Sequence, residues 1–295
     1  MEHVPETLTV LPQNVWLPRA QAHRERAERW TLPHLERRDR GEKHPVEDFL
    51  FDYYDLAPSK LARWHPGLDV VLEGPATAEY AALGAYLDLG DGRVTADPSR
   101  LAKRVRGLTW TRELLSRTSA RPARFGCFGM HEWAMVYRTD APRHPHPLRL
   151  GADGTADVVE SHQLACTHTD AFRFFTSAAA PRNPLQLTRE NQLEHEQPGC
   201  LHANMDLYKV AHRLLPFVEA TVVLDCFELA REIRTTDMEA SPYDLTAFGY
   251  GPLRVETPEG KAEYVRRQRG FSERANVLRD RLLADVDALL ARAQA

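Results

Sequence analysis

The 295-residue sequence predicts a mainly α-helical protein with a small β component, an α+β chain organised as one compact domain. Three observations carry that expectation. Val218, Val222, Cys226, Leu229 and Ile233 form an apolar stripe at helical spacing, ended by Ser241-Pro242. Leu278, Leu282, Val286 and Leu289 form another, in a region opened by Thr257-Pro258-Glu259. Against these helical signals stands one short β-branched run, Val70-Val71-Leu72, closed by Gly74-Pro75.

The remaining elements follow in chain order. Residues 17–43 are rich in Arg, Glu and His with little apolar periodicity, so residues 1–43 read as an exposed arm or helix ahead of a single domain over 44–295. A helix is expected from His44, with Pro45 in its first turn, Glu47 and Asp48 at the positive end of the dipole, and Val46, Phe49, Leu50 and Tyr53 on one face. A second helix is expected over 77–87, stopping at Gly90-Asp91-Gly92. Asp97-Pro98 supplies a cap and a first-turn proline for a helix reaching Thr118, with Leu101, Val105, Leu108 and Leu115 on its apolar side. Residues 138–154 and 182–199 read as loops, and residues 158–175 lean towards strand. No repeat of solenoid period is evident.

Composition narrows the function classes. A 43% hydrophobic and 27% charged chain is ordinary for a folded protein, and a formal charge of −4 creates no overall field for nucleic acid, so any basic site is local. The first residues lack the charged-then-apolar pattern of a secretory signal, and no apolar run approaches the ~20 residues of a membrane helix. Cys127, Cys166, Cys200 and Cys226 are far apart with no C-x-x-C pair, which argues against a disulfide framework. A cytoplasmic location and no membrane partner are expected.

The polar chemistry is expected between Gly126 and Asp206. On a strand, Glu160, His162, Leu164, Cys166, His168 and Asp170 share a face, while on a helix His162, Cys166 and Asp170 align. His168-Thr169-Asp170 has the H-x-D spacing that offers two ligands to non-haem iron, with His202 as a third. With thirteen histidines in the chain such a match arises readily by chance, and hydrogen-bonded histidines explain the same letters. The expectation is therefore no stoichiometric transition metal and no cofactor. Gly126 to Glu132 reads as a tight turn feeding a short helix that places His131 and Glu132 as acid or base, and whose exposed N–H groups suit an anion. Pro198-Gly199-Cys200 reads as a second such turn, with Asn204 as a cap and His202 and Asp206 near the helix start. The candidate catalytic set is thus Asp170, Asp206, His202, His168, Glu132 and His131. At least four of His131, His162, His168, His202, Asp170 and Asp206 are expected to face one cavity. Asp225 is read as an ion-paired carboxylate or, alternatively, an acid.

Lys103, Arg106, Trp110 and Arg117 fall on the side of their helix opposite Leu101, Val105 and Leu108. Such a face suits phosphates and a stacked base, although charge runs are usually solvated surface.

The segments GCFGMHEWAMVYR, DAFRFF, EQPGCLHANMDLYK and SPYDL resemble a family of actinobacterial proteins commonly labelled 3-methyladenine DNA glycosylase. The likeness extends from HPVEDFLFDYYDLAP to TPEGKAEYV, and this chain departs from it at Lys209-Val210-Ala211-His212. It carries no helix-hairpin-helix signature. The resemblance implies a DNA-repair hydrolase that cleaves the N-glycosidic bond of an alkylated purine. A carboxylate (Asp170, Asp206 or Asp225) would then stabilise the sugar, and aromatics among Phe49, Tyr53, Tyr54, Trp110 and Trp133 would hold the flipped base. The basic helix would grip DNA. Two other readings stay open: a small-molecule enzyme using acid–base or alkyl-transfer chemistry in a His/Asp/Glu pocket, and a non-catalytic partner subunit.

Overall fold

The computed structural model describes residues 8–142 and 144–294, and it is mainly helical with one small sheet. By density of backbone contacts the chain divides into two units, and α5, α10, α11 and α12, whose ranges are given below, supply residues to both.

The first unit holds residues 8–112, 208–227 and 280–294. Its sheet has the order β1-β2-β4-β3. β1 (Thr9–Pro12) runs parallel to β2 (Val70–Glu73), and β4 (Arg93–Ala96) lies antiparallel to both β2 and β3 (Tyr86–Gly90). The strand expected at Val70 is present. The helix expected over 77–87 shrinks to α4 (Ala78–Ala81), because Tyr86 onward pairs with Arg93–Ala96 as a hairpin whose turn contains Asp91-Gly92. The glycines that looked like a helix stop are a strand reversal.

α1 (Gln13–Asp39) occupies most of the stretch expected to be exposed, and it buries Trp16, His23, Ala27, Thr31 and His34. Its apolar periodicity is weak because polar residues fill the buried positions and find partners there. His23 Nε2 lies 2.9 Å from Leu61 O, and His34 Nδ1 lies 2.9 Å from Asp48 Oδ1. Arg37 Nε adds a second bond to Asp48 at 3.0 Å. The helix expected from His44 starts later, as α2 (Phe49–Tyr54), because His44 Nδ1 accepts the N–H groups of Val46 and Glu47 and forms a turn instead. α3 (Pro58–Leu61) follows. Asp97 caps as expected, accepting from Ser99 N at 3.0 Å, and a 3-10 turn leads into α5 (Val105–Ser119). Trp16, Leu50, Leu61, Leu72, Leu101 and Phe227 are among its buried core residues.

The second unit holds residues 113–207 and 228–279, less the undescribed position 143. It contains α6 (Met130–Ala134), α7 (Gly151–Ser161), α8 (Thr169–Phe172), α9 (Gln192–His195) and parts of α10 (Leu201–Leu214), α11 (Ala220–Glu239) and α12 (Pro258–Gln294). The leaning to strand over 158–175 is not met: α7 ends at Ser161, and the His168 ring accepts the Ala171 N–H to cap α8. The α11 and α12 stripes are as expected, with Val222, Cys226, Ile233, Leu282 and Val286 fully buried. Among the described residues, no helix is long and apolar enough to cross a membrane.

One buried histidine of the first unit gives this fold a pH signature. His65 Nδ1 lies 2.8 Å from the Tyr86 hydroxyl, and burial, assisted by the Arg63 charge, pushes its pKa down to about 3. Unfolded histidine binds a proton near pH ~6.5. Below that pH the unfolded chain holds a proton the folded chain refuses, so stability is present above pH ~6.5 and falls on acidification towards the folded pKa. The expected slope from this group is about 1.4 kcal/mol per pH unit. Urea unfolding at stepped pH should show it, and His65→Gln should flatten it.

Candidate functional site

The second unit gathers the polar residues that the sequence scattered. Its centre is assembled by two turns and one long helix. Gly129 has φ of +71°, and a Cβ there would lie 3.3 Å from both Ala240 Cβ and Tyr264 Cε2. Glycine therefore serves both conformation and space. The turn launches α6, which buries His131, Glu132 and Trp133. Gly199 forms the second turn, where a Cβ would fall 2.5 Å from Arg124 O. Gln197 Oε1 ties it by accepting from Gly199 N at 2.7 Å and Arg124 N at 2.8 Å. α10 then starts at Leu201 with His202 in its first turn.

α12 pins this start. Gln268 donates to Gly199 O at 2.7 Å, Ser272 to Pro198 O at 2.8 Å, and Arg279 to Asn204 Oδ1 at 2.6 Å. Asn204, expected as a cap, is instead a fully buried bridge whose amide also donates to Pro198 O at 3.0 Å. It lies inside the helix, three residues past the start.

Between these elements lies a cluster of rings and carboxylates. His131 and His202 meet edge to face at 4.2 Å between centroids, and His202 stacks on His168 at 5.3 Å. His131 Nε2 is 3.1 Å from Asp237 Oδ1, yet neither atom completes a hydrogen bond, so the pair is out of line. Arg234 Nη1 donates to Asp237 Oδ2 at 3.1 Å and to Glu132 Oε1 at 3.0 Å. His168 Nε2 lies 3.5 Å from Asp206 Oδ2 and 3.6 Å from Glu196 Oε1. His131, His202 and one Asp237 oxygen offer ligand atoms within 4.8 Å of one another, a donor set able to hold a metal ion.

The electrostatics separate the three rings. Burial opposes charge on His131, but Asp237 and Glu132 outweigh it and draw its pKa above the ordinary value. Burial and the neighbouring His131 hold His202 well below, as a neutral imidazole. For His168, burial works against the pull of Glu196 and Asp206, which draws its pKa up. Its Nδ1 accepts the Ala171 N–H, and a ring that keeps that acceptor places its single proton on Nε2, facing the two carboxylates. Asp237 stays ionised despite burial, because His131 and the other neighbouring cationic groups depress its pKa.

A cavity of about 360 Å³ opens beside this cluster. His131, His202 and Tyr264 line its polar part, and Leu164, Phe175 and Leu185 its apolar part. Phe175 and Leu185 pack on the buried Met135, Cys166, Ala171 and Leu187. Cys127, Cys166 and Cys200 also face the cavity. Burial keeps all three as thiols, pushing Cys166 up to about 12, so none is a ready nucleophile.

Of the six positions, at least four of which were expected to share a cavity, two do: His131 and His202 line it, while His168 and Asp206 stand behind them in the ring-and-carboxylate cluster. Asp170 lies on α8, 3.9 Å from Arg173 Nε, and His162 Nδ1 bonds Val158 O at 2.6 Å. Glu132 holds Arg234 rather than the cavity. Trp133 is fully buried and donates to Ala240 O at 2.9 Å, which makes it a core residue rather than a stacking platform. Phe49, Tyr53, Tyr54, Asp225, Lys103, Arg106 and Trp110 belong to the first unit. There Phe49 stacks on Tyr53 at 5.0 Å, and Tyr54 packs edge-on against Tyr208. Asp225 pairs with Arg26 at 2.8 Å and Arg281 at 3.4 Å. Lys103 and Arg106 are exposed and Trp110 is half-buried. Arg117, in the second unit, pairs with Glu113 at 2.5 Å.

Asp237 and Arg234 were missed by sequence reasoning. Their signal was an i, i+3 charge pair continuing an apolar stripe past Ile233, where a solvated pair was the simpler reading. Comparisons with protein-family profiles, with curated proteins and with solved structures find no match to this chain.

Arg234 is the cation that Glu132 and Asp237 share. Arg234→Ala should destabilise the protein by about 3–5 kcal/mol, the cost of leaving buried carboxylates without their partner. Denaturant unfolding monitored by circular dichroism is the check.

Proposed function

We propose that the chain is a hydrolase acting on a small molecule bound in the second unit's cavity. The observation that carries this reading is the concentration of buried polar atoms without a hydrogen-bond partner at one place: His131 Nε2, Asp237 Oδ1, His168 Nε2 and Glu132 Oε2. Each such atom costs about 1–3 kcal/mol, and folded proteins hold few of them. A cluster of them beside a cavity marks where a water and a substrate group complete the set.

The nature of the wall favours water as the nucleophile. Its thiols are held protonated, among the described residues neither a serine nor a lysine lines it, and its hydroxyls are those of Thr167 and of Tyr264, whose pKa burial raises further. Imidazoles backed by carboxylates are the groups that orient and activate a water. The substrate has an apolar body matching Leu164, Phe175 and Leu185, and a polar reacting group directed at His131 and His202. Exposed Arg124, also lining the cavity, suits an anionic group on the substrate. A cavity of about 360 Å³ falls in the range of small-ligand pockets.

Cleavage of an alkylated base from DNA remains the rival, resting on the family likeness and on exposed Lys103 and Arg106. The test is a panel of small esters, lactones, amides and N-glycosides, run beside duplex DNA containing methylated purines. Turnover of a small substrate is expected, lost by at least about 100-fold in His202→Gln and lost when Leu185→Trp fills the cavity. No turnover on the panel, with duplex DNA retained at low salt and methylated base released, would sink the proposal in favour of the rival.

A further inference from the structure

We propose that His131, His202 and Asp237 bind one divalent first-row transition-metal ion, zinc or iron(II) in class, with its open coordination positions turned to the cavity. The inference rests on the cavity being the reactive site and names the group that activates its water.

Geometry carries it. At metal–ligand distances of about 2.0–2.2 Å, neighbouring donors on one ion sit about 3 Å apart. His131 Nε2 and Asp237 Oδ1 are 3.1 Å apart, but out of line for a hydrogen bond with each other. Their separation is that of two donors to one ion. His202 brings its own ring nitrogen to within 4.8 Å of those two atoms, from the first turn of α10. Three donors thus come from three helices, α6, α10 and α11.

The surroundings match what such an ion needs. Asp237 divides its oxygens: Oδ2 accepts from Arg234, which leaves Oδ1 for the ion and fixes the carboxylate plane. A metal-bound carboxylate is normally held in this way by an outer partner. The carboxylates of Glu132 and Asp237 face a single guanidinium, that of Arg234, so a cation bound through neutral imidazoles meets negative surroundings. Both histidines line the cavity, whereas Asp237 is fully buried, so water and substrate reach the ion from the histidine side alone. Two imidazoles and one carboxylate, with positions left open, form the donor set of hydrolytic zinc and of non-haem iron. The H-x-D pair at His168 and Asp170 is not part of it, since His168 caps α8 through Nδ1 and Asp170 lies near Arg173.

The experiment is chelator treatment of the full chain, followed by calorimetric titration with Zn²⁺ and, anaerobically, Fe²⁺, with elemental analysis of the purified protein. One ion per chain is expected. His202→Gln, at the cavity wall and checked for folding by circular dichroism, should weaken binding by about 100-fold or more. His162→Gln, whose histidine bonds Val158 O away from the cluster, should leave it unchanged. Co²⁺ added to the unaltered protein should give a visible ligand-field band, a readout independent of any variant's folding. No stoichiometric binding, or binding that folded His202→Gln leaves intact, overturns the site. Hydrolysis undiminished in the ion-free protein overturns the metal and spares the cavity reading; stoichiometric binding without hydrolysis does the reverse.

Discussion

The guanidinium of Arg234 bonds two carboxylates that lie on different helices, Glu132 on α6 and Asp237 on α11. α6 has five residues, too few to hold a helical conformation or an orientation by itself. Its direction is inherited from outside: from Arg234, from the Trp133 indole on Ala240 O, and from the close approach of Gly129 to Tyr264. A buried ion pair adds little net stability, because desolvation offsets most of the attraction. What this one supplies is position. Held at this angle, α6 brings the His131 ring against His202 and Asp237.

How much of this was legible differs from element to element. The stripes of α11 and α12 were plain, because their buried positions are apolar and recur at 3.6-residue spacing. α1 was hard to read for the opposite reason. It buries His23, Thr31 and His34, residues whose polarity suggests solvent until their partners on other segments are known. The hairpin at 86–96 was hidden by Gly90 and Gly92, since glycine marks a helix end and a strand turn alike. In the site, the two glycine turns were visible, and so were His131, His168, His202 and Asp206. Asp237 was invisible because its importance lies in the place to which α11 carries it, some thirty-five residues beyond His202 in the chain.

The chain uses one residue type in two ways. In the first unit, three of the buried histidines each take one local partner: Leu61 O for His23, Asp48 for His34, the Tyr86 hydroxyl for His65. These are packing solutions, and they tie segments together. In the second unit three imidazoles converge within ring-contact distance, against four carboxylates, and leave ring nitrogens without a bond. Composition counts both kinds equally. The physical difference is whether a ring ties one segment of the fold to another or meets other rings and carboxylates beside a shared space.

Tyr264, Gln268, Ser272 and Arg279 all lie on α12, at offsets of four, eight and fifteen residues from the first. At about 100° per residue these positions fall on one side of the helix. All four face the same neighbourhood, three of them bonded to residues 198–204 and Tyr264 packed on Gly129. A single inserted or deleted residue among them would turn the downstream part by that angle and swing Arg279 away from Asn204, while changing no chemical group. Side-chain identity at the intervening exposed positions is free to drift. The number of residues between them is not, so this stretch should keep its length in any descendant of the chain long after most of its letters have changed.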